Sequence, residues 1–223
     1  MNFIYRFWMN WRLHNFKGAK KSINESSHIT QELRSSMIKG VSEIKTPPLI
    51  KEQKFSPKDI INTLPRHTSK KWKKRKLKDI NKIIVHQSMS EGTVKGVNHY
   101  HITPSPCNHI SEKGTPHICY HYVISADKFG TVYQCNDLED IVWGCRGQNF
   151  SGIQILVIGN FDGVNYHPKP IRKPTFKQLR SLEKLIKYLY GINKEWKLYG
   201  HCDFGKLACP GQVLSLALET YND

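Results

Sequence analysis

The segment GHCDFGKLACPG, Gly200 to Gly211, constrains this chain more than any other. It sets His201 and Cys209 eight residues apart and closes on Pro-Gly. A second histidine, His86, lies at the end of the apolar run INKIIVHQS. The contiguous β-branched residues Ile83, Ile84 and Val85 predict a buried strand over Asn81–Gln87, with His86 near its end. Two imidazoles and one thiolate form a three-ligand set for Zn2+ with the fourth position open, the stoichiometry of a catalytic rather than a structural site. Taken singly, each residue has a commoner explanation, because a lone buried histidine or cysteine is usually core. A histidine after Ile-Ile-Val together with His201, Cys209 and the Pro-Gly would be odd core filler. An open zinc position binds water, lowers its pKa to about 7 and polarises a carbonyl, so the expected reaction class is amide hydrolysis.

The pattern around these residues predicts an α/β domain with a single central mixed β-sheet flanked by helices. Thr93–Ile102 reads as a helix, and Cys119–Ser125 with Gly130–Cys135 as a hairpin. Ile153–Ile158 reads as an apolar strand. Thr175–Tyr190 carries the clearest helical signal. Thr175 caps it with Gln178 three residues on, Leu179, Leu182, Leu185, Ile186 and Leu189 line one face, and Gly191 marks the stop. Trp196–Gly200 is a short strand that delivers His201, and Gly211–Tyr221 is a terminal helix.

Charge divides the chain unevenly. Residues 1–80 hold 19 Lys/Arg against 6 Asp/Glu, and residues 81–223 hold 15 against 12. The sequence therefore reads as a basic extension and linker (1–55), a helix and basic connector (56–79) and the zinc domain (80–223). The helix is expected from Ser56 as N-cap and Pro57 at the first helical position. A short helix is also expected near Ile29–Lys39. The run SKKWKKRKLKD, 69–79, is either a solvated connector or a patch for a polyanion such as nucleic acid. The aromatic, basic N-terminus is a poor signal peptide, since Arg6 and Arg12 interrupt it. It suits an interfacial helix anchored by Phe3, Trp8 and Trp11, or one packed on protein. No run of about 18 apolar residues predicts a membrane span. Six cysteines at this length read most simply as reduced thiols with one metal ligand.

The segments IIVHQS, YHYVI, IGNFDG and GHCDFGKLACPG together resemble the zinc N-acetylmuramoyl-L-alanine amidase family. That family includes phage amidase endolysins and animal peptidoglycan recognition proteins. The resemblance runs from about Ile80 to the C-terminus, about two-thirds of the chain. It implies an amidase-like fold, His86, His201 and Cys209 as zinc ligands, and hydrolysis of the bond between N-acetylmuramic acid and L-alanine. It also implies that Tyr120, in CYHYVI, assists catalysis, and that His117, Trp143 and Asn149 border the substrate groove. His101 and His109 are further residues able to line a groove. His121 is expected to point the other way, into packing. Phage members often carry a lysine two residues before the zinc cysteine. Here Leu207 occupies that place and Lys206 stands one earlier. The long Lys206 side chain is expected to serve as the second catalytic residue by stabilising negative charge near the metal, with a surface lysine as the alternative. Gln154 replaces a glycine common in the family, with an expected effect on packing only. The implied partner is peptidoglycan, with an anionic wall polymer or membrane surface engaged by the N-terminal region, and the implied state is a monomer. A phage-encoded cytoplasmic or virion-associated protein acting on the cell wall fits these features. The rival reading is a non-catalytic peptidoglycan-binding module, although such relatives usually lack the zinc cysteine that Cys209 supplies.

Overall fold

Six strands form one mixed sheet whose order places the predicted ligands on a common edge. In the computed structural model the described residues are 55–161 and 173–222. The expectations for residues 1–54, including the aromatic N-terminal helix and the helix near Ile29–Lys39, lie outside them. The chain divides into Met1–Phe55 and Ser56–Asp223, and the sheet belongs to the second unit.

The elements are β1 (Lys58–Asp59), β2 (Lys82–Gln87), α1 (Val94–Ile102), β3 (Tyr122–Ile124), β4 (Val132–Gln134), β5 (Gly152–Val157), α2 (Phe176–Ile192), β6 (Lys197–Gly200) and α3 (Gln212–Asn222). Short 3-10 turns cover Leu77–Asp79 and His201–Phe204. The sheet order is β1-β4-β3-β5-β2-β6. Only β3 and β4 pair antiparallel, as hairpin partners, and the other neighbours run parallel. Every residue of β5 is buried, as expected for a parallel strand covered on both faces. Val94 and Val97 of α1 pack with Val123 and Leu156 on one face. Tyr122, on the opposite face of β3, lies beside Tyr188 of α2, so helices cover both sides.

The capping box of α2 forms as read: Thr175 Oγ1 accepts from Gln178 N and Gln178 Oε1 accepts from Thr175 N, both at 3.1 Å. Its five predicted apolar residues are buried. Gly191 does not stop it, however. The helix continues to Ile192 and ends at Asn193, whose N–H still donates to Leu189 O.

Residues 56–79 differ from expectation. No helix starts at Ser56. Lys58 and Asp59 instead extend the sheet beside Tyr133 and Gln134. Part of the basic run clasps the domain, while Lys71, Lys73, Lys76 and Lys78 stay exposed. Trp72 is buried and its Nε1 donates to Asn136 Oδ1 at 3.0 Å. Arg75 is 5% exposed and donates to the carbonyls of Leu138, Asn149, Phe150 and Gly152. Lys74 pairs with Asp137 at 3.2 Å and Asp140 at 2.9 Å. A domain boundary at residue 80 therefore cuts through the folded unit. The residues of this run best suited to grip nucleic acid, Trp72 and Arg75, face inward.

Candidate metal centre and cleft

Parallel pairing of β2 with β6 sets their C-terminal ends on one edge of the sheet, where open α/β sheets bind ligands. Val85 is level with Gly200, so His86 and His201 emerge side by side. After Gly200 the chain turns through His201–Phe204, with Asp203 Oδ2 accepting from Gly200 N at 2.8 Å. Gly205 takes φ +86°, a conformation open to glycine and strained for other residues, and the loop returns Cys209 to the strand ends. A Cβ on Gly200 would sit 2.9 Å from both Cys202 Sγ and Pro210 Cδ, so the crossing needs a glycine.

His86 Nδ1 lies 3.0 Å from His201 Nδ1 and 3.8 Å from Cys209 Sγ. All three ligand atoms fall within 4.8 Å of one another. Tetrahedral zinc with bonds of about 2.0–2.1 Å to nitrogen and about 2.3 Å to sulfur requires separations of about 3.3 and 3.6 Å. The two separations from His86 match these to within a few tenths of an ångström, and His201 and Cys209 lie within 4.8 Å of each other, so the residues present fit the ion. Burial, then the neighbouring His201 ring, lowers the pKa of His86 to about 3. Burial, then the Lys206 charge, lowers His201 to about 4. Both imidazoles are thus neutral at pH 7, as ligation requires. Burial pushes the Cys209 thiol up to about 12, opposed by the Gln87 N–H that donates to its sulfur at 3.4 Å. In the absence of a cation that sulfur keeps its proton. Gln87 also ties the loop to the sheet, since its Nε2 donates to Ala208 O and its Oε1 accepts from Phe161 N.

The trio opens into a cleft of about 1490 Å³. Tyr120 and Leu156 line its floor near His86, and Tyr100 and His101 of α1 form one wall. Trp143 and Lys206 stand at the rim. The Tyr120 ring centroid is 5.3 Å from that of His86, and burial raises its phenol well above the ordinary range. Lys206 lines the cleft and its charge reaches His201 and His109, whereas Leu207 is 86% exposed. Among the described residues, Arg146 and Lys206 are the fixed cations lining the cleft, and no Asp or Glu lines it.

Two of the three predicted groove residues reach the cleft. Trp143 is 44% exposed and meets Trp72 edge to face at 5.6 Å. Asn149 lines the cleft, but its Oδ1 accepts from Cys145 N at 2.8 Å and so shapes the loop. His117 does not reach it. It is fully buried, with Nδ1 3.0 Å from Asn136 Oδ1. His101, whose Nδ1 accepts from Cys119 N at 3.0 Å, lines the cleft instead. His121 is buried in packing, with Nδ1 accepting from Gln154 N and Nε2 donating to Asp140 O. Gln154 is more than packing, because its Oε1 lies 2.7 Å from His86 Nε2. The sequence reading assigned Gln154 to packing alone and did not single out Gln87. The available signal was a glutamine inside a strand otherwise apolar on both faces, since a buried amide requires a partner.

This sheet, with its histidines and cysteine at one strand edge, defines an amidase-type hydrolase fold. Residues 76–212 match the N-acetylmuramoyl-L-alanine amidase family, and the chain belongs to it. Mouse peptidoglycan recognition protein 3 is 26% identical over 113 residues, which span 51% of this chain and 30% of that protein. The endolysin N-acetylmuramoyl-L-alanine amidase LysCS from Clostridium intestinale is similar in fold, with TM-score 0.53, 21% identity, and coverage of 76% of this chain and 99% of that one. Human PGRP-IBETAC, in complex with glycosamyl muramyl pentapeptide, superposes with TM-score 0.55 at 16% identity, covering 68% and 88%. The fold is thus shared by lytic amidases and recognition proteins.

Proposed function

We propose that the protein is a zinc-dependent amidase that cleaves the bond between N-acetylmuramic acid and the L-alanine of the peptidoglycan stem. The observation that carries this reading is the convergence of His86 Nδ1, His201 Nδ1 and Cys209 Sγ within 4.8 Å at the floor of a cleft. His86, His201 and Cys209 would hold Zn2+, which when bound supplies Lewis acidity at the scissile carbonyl and lowers the pKa of water. The open cleft above them leaves space for the lactyl carbonyl. The Tyr120 phenol, kept protonated by burial, is a donor for the oxyanion that develops there. Lys206 adds positive charge on the same side. Trp143 offers an aromatic face at the rim for a sugar or stem residue. Two cations and no carboxylate along the cleft suit a stem peptide that carries free carboxylates.

Leu207, where phage relatives carry lysine, supports a second reading as a peptidoglycan-recognition module without turnover. One measurement separates the two. Zinc-loaded protein is incubated with purified sacculi, and new L-alanine amino groups are counted. The amidase reading expects steady release, abolished in Cys209→Ala. Binding to sacculi without amine release would establish the recognition module instead.

A further inference from the structure

The register of β2 against β5 has a chemical consequence at the candidate metal centre. Ile84 pairs with Gln154 and His86 with Leu156, so all four side chains share one face of the sheet. Gln154 is therefore a diagonal neighbour of His86, within side-chain reach. It is completely buried, and its Oε1 lies 2.7 Å from His86 Nε2. The amide sits with Oε1 facing the ring and Nε2 facing the Gly152 carbonyl at 3.5 Å, the outer limit of a hydrogen bond. A carbonyl oxygen only accepts, so His86 Nε2 carries the proton and Nδ1 presents its lone pair toward His201 and Cys209. The surrounding backbone makes room for this amide. A Cβ at Gly144 would lie 2.9 Å from Gln154 Cγ and Oε1, and one at Gly152 would lie 2.9 Å from its Nε2.

We infer that Gln154 is a positioning residue that holds His86 as the Nε2–H tautomer, with Nδ1 free to ligate the metal. This inference rests on the zinc reading only for what occupies Nδ1. Gln154 touches neither substrate nor ion. It acts through His86, as the outer partner that metal-ligating histidines usually have. Glycine at this position leaves no side chain to accept that proton, so the device belongs to this chain's glutamine.

The test uses the full chain and three proteins: the parent, Gln154→Met, which keeps bulk without an acceptor, and Gln154→Glu, which keeps the acceptor. Zinc affinity is measured by competition with a chromophoric chelator. Long-range 1H–15N NMR of metal-free parent reports the His86 tautomer. The expected result is the Nε2–H form in the parent, zinc affinity 10- to 100-fold weaker in Gln154→Met, and affinity restored to within a few-fold in Gln154→Glu. Equal affinity in parent and Gln154→Met would overturn the inference. So would equal loss in both variants, because that marks a packing role alone, and so would an Nδ1–H tautomer in the parent. The NMR result decides the matter if Gln154→Met fails to fold. A parent that binds no zinc but shows the Nε2–H tautomer defeats the zinc reading and leaves the positioning role standing.

Discussion

The candidate metal centre is built from two unlike halves. His86, with Gln154 and Tyr120 around it, belongs to the sheet, and its orientation is set by strand register and burial. His201 and Cys209 belong to a loop, only partly buried, that reaches the strand ends by way of Gly205 and is tied down by Gln87. The sheet half is pre-organised by the same packing that makes the core. The loop half depends on a few local hydrogen bonds. Damage to the first should therefore cost stability as well as metal, and damage to the second should cost metal alone.

Ligand removal makes the sharpest contrast. His86→Ala and Cys209→Ala should each abolish bound zinc, measured by elemental analysis of the purified protein. Only His86→Ala also strands the buried Gln154 carbonyl, at a cost of about 1–3 kcal/mol. Its metal-free Tm should fall several degrees below that of metal-free parent, while Cys209→Ala stays close to it. Equal Tm losses in both would erase the distinction.

Acid should strain both halves next, the buried rings around the cleft included. Burial holds His86, His101 and His121 at about 3 and His201 at about 4, against an ordinary 6.5 when unfolded. Between those values the unfolded chain binds protons that the native state refuses, so stability is complete above pH 6.5 and falls as pH drops. Four such groups remove up to about 5 kcal/mol per pH unit. Metal-free protein should unfold between about pH 4 and 5 by circular dichroism. A native signal unchanged down to pH 3 would contradict the burial of these rings.

Loosening the loop tether is a smaller perturbation. Gln87→Ala removes the bonds to Ala208 and Phe161 and should weaken zinc about tenfold by chelator competition. Smallest is the rim. Lys206→Met should lower kcat/KM on sacculi about threefold, since an exposed charge is screened by solvent. Leu207→Lys should recover part of that loss in the double variant. A change above a hundredfold in Lys206→Met would move the lysine from the rim to the reaction itself.

The same division explains what could be read from the chain. Local signals carried well. The β-branched run marked β2, the Thr175–Gln178 pair marked the start of α2, and His86, His201 and Cys209 stood out by type and spacing. What failed depends on contacts distant in sequence. Gln154 meets His86 across 68 residues, and nothing near either one announces the other. Arg75 and Trp72 looked like part of a solvated basic run, yet the carbonyls of Leu138 to Gly152 and the Asn136 amide draw them inward. Ser56-Pro57 is a sound helix start, but free ladder positions beside β4 took Lys58 and Asp59 into the sheet. His117 and His101 are alike as loop or helix histidines. Only the fold shows that one packs inside and the other reaches the cleft.

The separation of 115 residues between His86 and His201 bears on how such a chain is made. A growing polypeptide carries the first imidazole long before the second leaves the ribosome, and the sulfur follows later still. Any fragment that stops short of Cys209 lacks the sulfur of the candidate metal centre, so the complete trio exists only once the end of the sheet-to-helix loop has been made.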